Sequence, residues 1–133
     1  MLKNRLAKLA RIVEVKEHQR RSAEWRLGRL KREEAGVLQD QRTLIAALNE
    51  EQPLHGLFVE TMARHLGVLS QKLDGLRQAQ ARQTAELQTQ TGQLRQAERI
   101  LDDTSRKQAR ADEWKELSEV IDAALARRDA SLP

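Results

Sequence analysis

Residues 59–111 read VETMARHLGVLSQKLDGLRQAQARQTAELQTQTGQLRQAERILDDTSRKQARA, a run in which apolar side chains recur every seven positions. One row of this repeat comprises Val59, Leu66, Leu73, Gln80, Leu87, Leu94, Leu101 and Gln108. The row three residues further on comprises Met62, Leu69, Leu76, Gln83, Gln90, Ala97, Thr104 and Ala111. A seven-residue repeat held over this length is typical of a supercoiled helix with a narrow apolar seam. A single helix cannot bury such a seam, so a second helix must cover it.

Residues 2–49 carry the same repeat and form the predicted partner helix. Its first seam row comprises Leu6, Val13, Arg20, Leu27, Glu34, Gln41 and Leu48. Its second row comprises Leu2, Leu9, Lys16, Ala23, Leu30, Val37 and Leu44. Because this second row is apolar except at Lys16, the helix offers a seam that can cover the seam of residues 59–111.

The chain has one clear break, at residues 49–56, which read NEEQPLHG. Pro53 cannot lie inside a continuous helix, but it is favoured in the first turn of a new one. A short break between two helical segments predicts that the chain folds back on itself. The fold prediction is therefore all-α: one antiparallel coiled-coil hairpin with helix one at about residues 2–49, a turn at about 50–56 and a longer helix two at about 57–128.

Polar residues interrupt both seams near the middle of the hairpin. The predicted pairing places Lys16 and Arg20 near Leu87 and Gln90, and Gln80 and Gln83 near Leu27 and Ala23. Polar seam residues fix the register of a coiled coil at a cost in stability. We therefore interpret these layers as devices that set the register.

The second helix is expected to be longer than the first and to extend beyond its end. Beyond Lys107 it has no partner in the hairpin, and we call this part of helix two the overhang. Its apolar positions form what we call the Trp114 stripe: Ala111, Trp114, Leu117, Ile121 and Leu125. An open apolar face of this length predicts a partner site or an oligomer contact.

Composition and motifs narrow the class of function. The chain has 133 residues, of which 33% are charged and 2% aromatic, and it contains no cysteine. No apolar run is long enough to span a membrane, and we expect a soluble, cytoplasmic protein. No glycine-rich phosphate loop, nucleophile motif or paired histidine motif occurs. We expect neither enzymatic activity nor a bound metal or cofactor.

Two further features are candidate binding sites. Phe58, Met62, His65 and Leu69 lie on one helical face just after the break, and we call them the tip stripe. Met62 and Leu69 are seam positions, whereas Phe58 and His65 flank the seam and should be partly exposed. Phe58 either caps the end of the hairpin core or anchors a partner. Trp25 falls opposite the seam of helix one, where it either contacts a partner or lies along arginine side chains.

Charge is unevenly distributed. From Lys3 to Arg32 there are eleven Lys and Arg against three acidic residues, and from Asp102 to Asp122 there are seven acidic residues against four basic ones. A basic helix can bind nucleic acid. Here the basic residues surround the helix and no aromatic stacking platform accompanies them, so nucleic acid is not expected as a partner.

The first helix also carries the pattern L-x2-L-x2-I-x3-K-E, at Leu6, Leu9, Ile12, Lys16 and Glu17. With the break, the longer second helix and the charged tail, the chain resembles the FliJ/YscO family of type III export proteins. That resemblance covers nearly the whole chain. Members of the family are antiparallel coiled coils similar to the stalk (γ) subunit of rotary ATPases.

The resemblance implies a set of partners. The chain would bind the central pore of the hexameric export ATPase, the cytoplasmic part of the export gate membrane protein, and export chaperones, at the base of the export apparatus. Two segments would enter the pore. One is the start of helix one, from Leu2 to Ile12, with Leu2, Leu6 and Leu9 as its contact residues. The other is the overhang, with Trp114, Leu117, Ile121 and Leu125. The gate would contact the tip stripe, which matches the F-x3-L-x2-A-x3-H pattern of the family at Phe58 and departs from it at His65 and Leu69. The alternative is a generic adaptor that dimerises through the overhang.

Overall fold

The structure, a computed structural model, describes residues 2–50 and 55–131. Helix α1 spans Leu2–Leu48 and helix α2 spans His55–Ala130. The two helices pack against each other, which confirms the predicted all-α helical hairpin. Most of the predicted turn, including Pro53, lies outside the described residues.

The last turn of α1 closes with tighter hydrogen bonds. The amide N–H of Asn49 donates to the carbonyl oxygens of Ile45 and Ala46, at 3.1 and 3.2 Å, and that of Glu50 donates to Ala47 at 3.3 Å. Bonds of this kind satisfy carbonyl groups that a helix otherwise leaves unpaired at its end. Helix α1 therefore ends before Pro53 is reached.

The heptad rows coincide with the shielded positions of both helices. Every residue of the two α1 rows is buried or half-buried. In α2 the same holds for all row positions except Val59 and Ala111, which are the first and last residues of the repeat. The predicted seam is therefore confirmed. Since two helices enclose only a narrow strip, even its best-shielded leucines, Leu69 and Leu94, each keep 6% of their surface exposed.

The chain divides into two compact units, and residues 18–91 form one of them. Its core is a cluster of four buried side chains, Val37, Leu69, Leu73 and Leu76, with Leu30, Leu38 and Leu44 packed against it. Gln41 Nε2 donates to Ser70 Oγ at 3.3 Å, and Gln83 Nε2 donates to the Ala23 carbonyl oxygen at 3.2 Å. From the first of these pairs to the second, the residue number falls on α1 and rises on α2. The two helices of this unit are therefore antiparallel.

Residues 1–17 and 92–133 form the other unit. On α2 its buried residues are Leu94, Ala97 and Thr104, and on α1 it contributes the half-buried seam residues Leu2, Leu6, Leu9 and Val13. Lys16 Nζ donates to Gln93 Oε1 at 3.0 Å. Lys16 is half-buried as a residue, and its ammonium group reaches a polar partner beside the seam.

The polar layers agree with the predicted pairing only in part, and Lys16 already differs, because its hydrogen-bond partner is Gln93 and not the predicted Gln90. Gln83 bonds the Ala23 backbone, in agreement with the predicted pairing. Gln80 differs, because its amide nitrogen bonds Glu34, which also pairs with Arg77 at 3.4 Å. Glu34 lies one heptad after Leu27 in the same row of α1, and its carboxylate accepts a hydrogen bond that the apolar Leu27 cannot.

Candidate protein-binding surfaces

The overhang leaves its apolar side chains uncovered. Gln108 is half-buried, and every described residue from 109 to 131 is exposed. Trp114 has 71% of its surface exposed, and Leu117, Ile121 and Leu125 are each about half exposed. An exposed apolar face on an otherwise polar helix indicates an interaction site.

The beginning of α1 lies beside the first turns of the overhang. Lys3 lines one surface depression together with Asp112, Lys115, Glu116 and Glu119. The three candidate leucines at this end, Leu2, Leu6 and Leu9, are half-buried in the seam rather than fully presented. A partner that covers the Trp114 stripe at this point would also meet the basic first turn of α1.

The overhang is acidic, and most of its carboxylates are unpaired. Glu113, Glu116, Glu119 and Asp122 have no ion-pair or hydrogen-bond partner in the part of the chain that the structure describes. Elsewhere, some exposed carboxylates pair with an arginine at i,i+4, as in Arg64–Glu60 at 2.8 Å and Arg106–Asp102 at 3.1 Å, whereas Asp40 and Asp74 have no such partner in the described part of the chain. The overhang therefore presents an apolar stripe together with free negative charge.

The tip stripe separates into exposed and buried members. Phe58 is 53% exposed and His65 is exposed, whereas Met62 is half-buried. Leu69 is buried in the core cluster beside Val37. The expected exposure of the two flanking residues is confirmed, and within the tip stripe Phe58 and His65 are the members that a partner could contact most readily.

Trp25 projects from the outer face of α1 with 60% of its surface exposed. The Arg29 Cζ atom lies 5.8 Å from the centre of its ring, within the range of a cation–π contact. Of the two alternatives for Trp25, contact with an arginine side chain is therefore present in the structure, and the exposed part of the ring is still open to a partner. His18, Arg21, Ser22 and Arg26 join the ring in lining a shallow depression.

Some exposed apolar residues were missed by sequence reasoning. Val120 is 64% exposed and widens the Trp114 stripe on one side. Its position three residues after Leu117 could have identified it as a neighbour on the same helical face. Val15 was also missed and is exposed on α1, as is Ile12, which the sequence analysis did include. The heptad rows give no weight to such positions, because they lie off the seam.

Residues 2–50 and 55–131 contain no group of three His, Asp or Glu side chains arranged to hold a metal ion. Neither helix, over its described length, is apolar enough to cross a bilayer. Comparisons with protein-family models, curated proteins and solved structures gave no match.

Proposed function

We propose that the chain is a stalk component of a type III protein export apparatus, of the flagellar or the virulence type. In this proposal it binds the hexameric export ATPase and the cytoplasmic part of the export gate, with export chaperones as additional partners. It would act in the cytoplasm at the base of the apparatus. The observation that carries the proposal is the overhang with its exposed Trp114 stripe.

The overhang suits insertion into a ring of subunits. A single helix is narrow, and its apolar residues lie on one face while acidic residues border them. The ATPase pore would supply an apolar lining and basic groups, so that burial of Trp114 and Ile121 provides most of the binding free energy. The first residues of α1 would contact the rim of the same opening.

The first test replaces the centre of the Trp114 stripe. We expect Trp114→Ala with Ile121→Ala to weaken binding to the purified export ATPase by about thirtyfold or more, since buried aromatic anchors dominate interfaces of this kind. Helicity should persist by circular dichroism, because both residues are exposed in the free chain. Isothermal titration calorimetry measures the affinity.

A matched control removes two exposed aliphatic side chains from the other unit. Ile45→Ala with Val68→Ala should leave ATPase affinity unchanged, because both residues are exposed and lie outside the overhang. If the variant at Trp114 and Ile121 binds as tightly as this control, the overhang is not the ATPase site and the proposal fails.

The second test concerns the gate. Phe58→Ala should weaken binding to the purified cytoplasmic part of the gate by about tenfold or more, while ATPase affinity stays the same. The exposed Phe58 ring is the largest side chain of the tip stripe and would anchor the contact. Val68→Ala serves as the control on the same helix, and equal gate binding by both variants would assign the gate contact elsewhere.

A further inference from the structure

The two tryptophans of the chain lie in segments of opposite net charge. Trp25 and Trp114 are the only tryptophans, and both are largely exposed. From His18 to Arg32 the sequence has six Lys and Arg against one Glu, whereas from Ala111 to Leu125 it has five acidic residues against one Lys. Each tryptophan thus stands in a segment that complements the charge of the other.

The surface around Trp25 is a continuous cationic stripe. It comprises exposed residues at spacings of three and four along α1, which are His18, Arg21, Trp25, Arg29 and Arg32. Residues at these spacings lie on one helical face. Arg29 is held by Glu33 at 3.4 Å and stacks near the Trp25 ring, so the stripe combines one flat apolar ring with ordered positive charge.

The overhang carries the complementary features. Glu113 lies four residues before Leu117 and Asp122 lies three residues before Leu125, so a carboxylate borders the Trp114 stripe on each side. Both carboxylates lack an ion-pair partner among residues 2–50 and 55–131. At about 1.5 Å per residue the cationic stripe is about 21 Å long, and the segment from Glu113 to Leu125 is about 18 Å long.

We propose that the overhang of one copy docks on the cationic stripe of a second copy. Trp114 and Leu117 cover the Trp25 ring, while Glu113 and Asp122 pair with arginines of the cationic stripe. The contact removes two exposed tryptophans from water and gives the free carboxylates cationic partners.

Other occupants of the cationic stripe fit less well. A membrane surface binds helices through a broad apolar face, and this stripe has a single apolar side chain. A nucleic acid strand needs several aromatic side chains for stacking, and only one is present. Two overhangs pairing with each other would bring like charges together, which disfavours that dimer.

The proposed contact joins two different surfaces, so it is heterologous. Each associated copy retains one unoccupied surface, and further copies can add until a ring closes or a filament forms. Because exposed charges steer the contact, it should weaken as salt screens them. An overhang docked in this way is unavailable to any other partner. The self-association proposed here does not depend on the export function.

The test uses the purified full chain alone, so its result is independent of the ATPase and gate experiments. Sedimentation equilibrium at low salt should show concentration-dependent mass above 15.2 kDa. The association constant should fall about tenfold or more in high salt. Single-tryptophan variants Trp25→Phe and Trp114→Phe report each surface separately, and emission of the remaining tryptophan should shift to the blue on association.

Charge reversal identifies the two surfaces. Arg29→Glu with Arg32→Glu, and separately Glu113→Arg with Asp122→Arg, should each abolish association, while an equimolar mixture of these two variants should associate again. Arg95→Glu with Arg99→Glu is the control, since both arginines are exposed and lie outside both surfaces. Recovery in the mixture also shows that both variants are folded.

Three outcomes overturn the proposal. The first is that the unmodified chain stays at the monomer mass at low salt and high concentration. The second is that the two charge-reversed variants fail to associate when mixed. The third is that charge reversal in the overhang abolishes association but charge reversal in the cationic stripe does not. Blue-shifted Trp25 emission with vesicles of anionic phospholipid, in a chain that does not self-associate, would assign the stripe to a membrane surface instead.

Discussion

Replacing both Leu73 and Leu76 with alanine is expected to lower the free energy of unfolding of the unit formed by residues 18–91 by about 4–6 kcal/mol. Both leucines are buried in the hydrophobic cluster described above, where they pack with Val37 and Leu69. A loss of this size approaches the whole stability of a typical small domain, so the helices should separate. Urea and thermal unfolding followed by circular dichroism measure the change.

The same chemical change at exposed positions is the matched control. Leu117→Ala with Leu125→Ala removes two leucines from the same helix, but both are about half exposed and lie in the overhang. Their loss should alter the unfolding free energy by no more than about 0.5 kcal/mol. Equal destabilisation by the two double variants would show that the seam is not the source of stability.

Replacing four glycines with alanine is expected to raise the free energy of unfolding by about 2–4 kcal/mol in total. Gly36, Gly67, Gly75 and Gly92 lie inside the helices, and a methyl group added at any of them meets no atom within 4 Å. Alanine loses less backbone entropy on folding and favours the helix by about 1 kcal/mol per site. The measurement is the midpoint of thermal unfolding for each single variant and for the combination.

Serine at the same four positions separates helix propensity from other effects. Serine lies between alanine and glycine in helix propensity, so the order of stability should be alanine, serine, glycine. A combined alanine variant that unfolds at a lower temperature than the natural chain would contradict the open surroundings found at these positions.

Several features of the fold could be predicted because they follow from periodicity. A repeat of seven places the same face of the helix toward its partner at every second turn, so the shielded residues are known once the period is known. This reasoning located Leu73 and Leu94 in the seam and left Trp114 uncovered. It also distinguished the exposed Phe58 from the buried Leu69 within a single stripe.

Other features could not be read from the repeat. Gln80 was expected near Leu27 but bonds Glu34, because the reach and lean of a long side chain decide its partner. Val120 was missed because it lies beside the Trp114 stripe and not in it, and its exposure could be seen only in the structure.

The spacing of apolar residues was sufficient to establish that two helices with sevenfold apolar rows must cover each other and that the apolar positions of the second helix continue past the end of the first. These properties are local and periodic, so they need no knowledge of distant contacts. Which carboxylates pair with a cation, and how far each apolar side chain is exposed, became known from the packed helices. Pairing and exposure depend on side chains brought together from distant parts of the chain, and periodicity alone does not specify those distances.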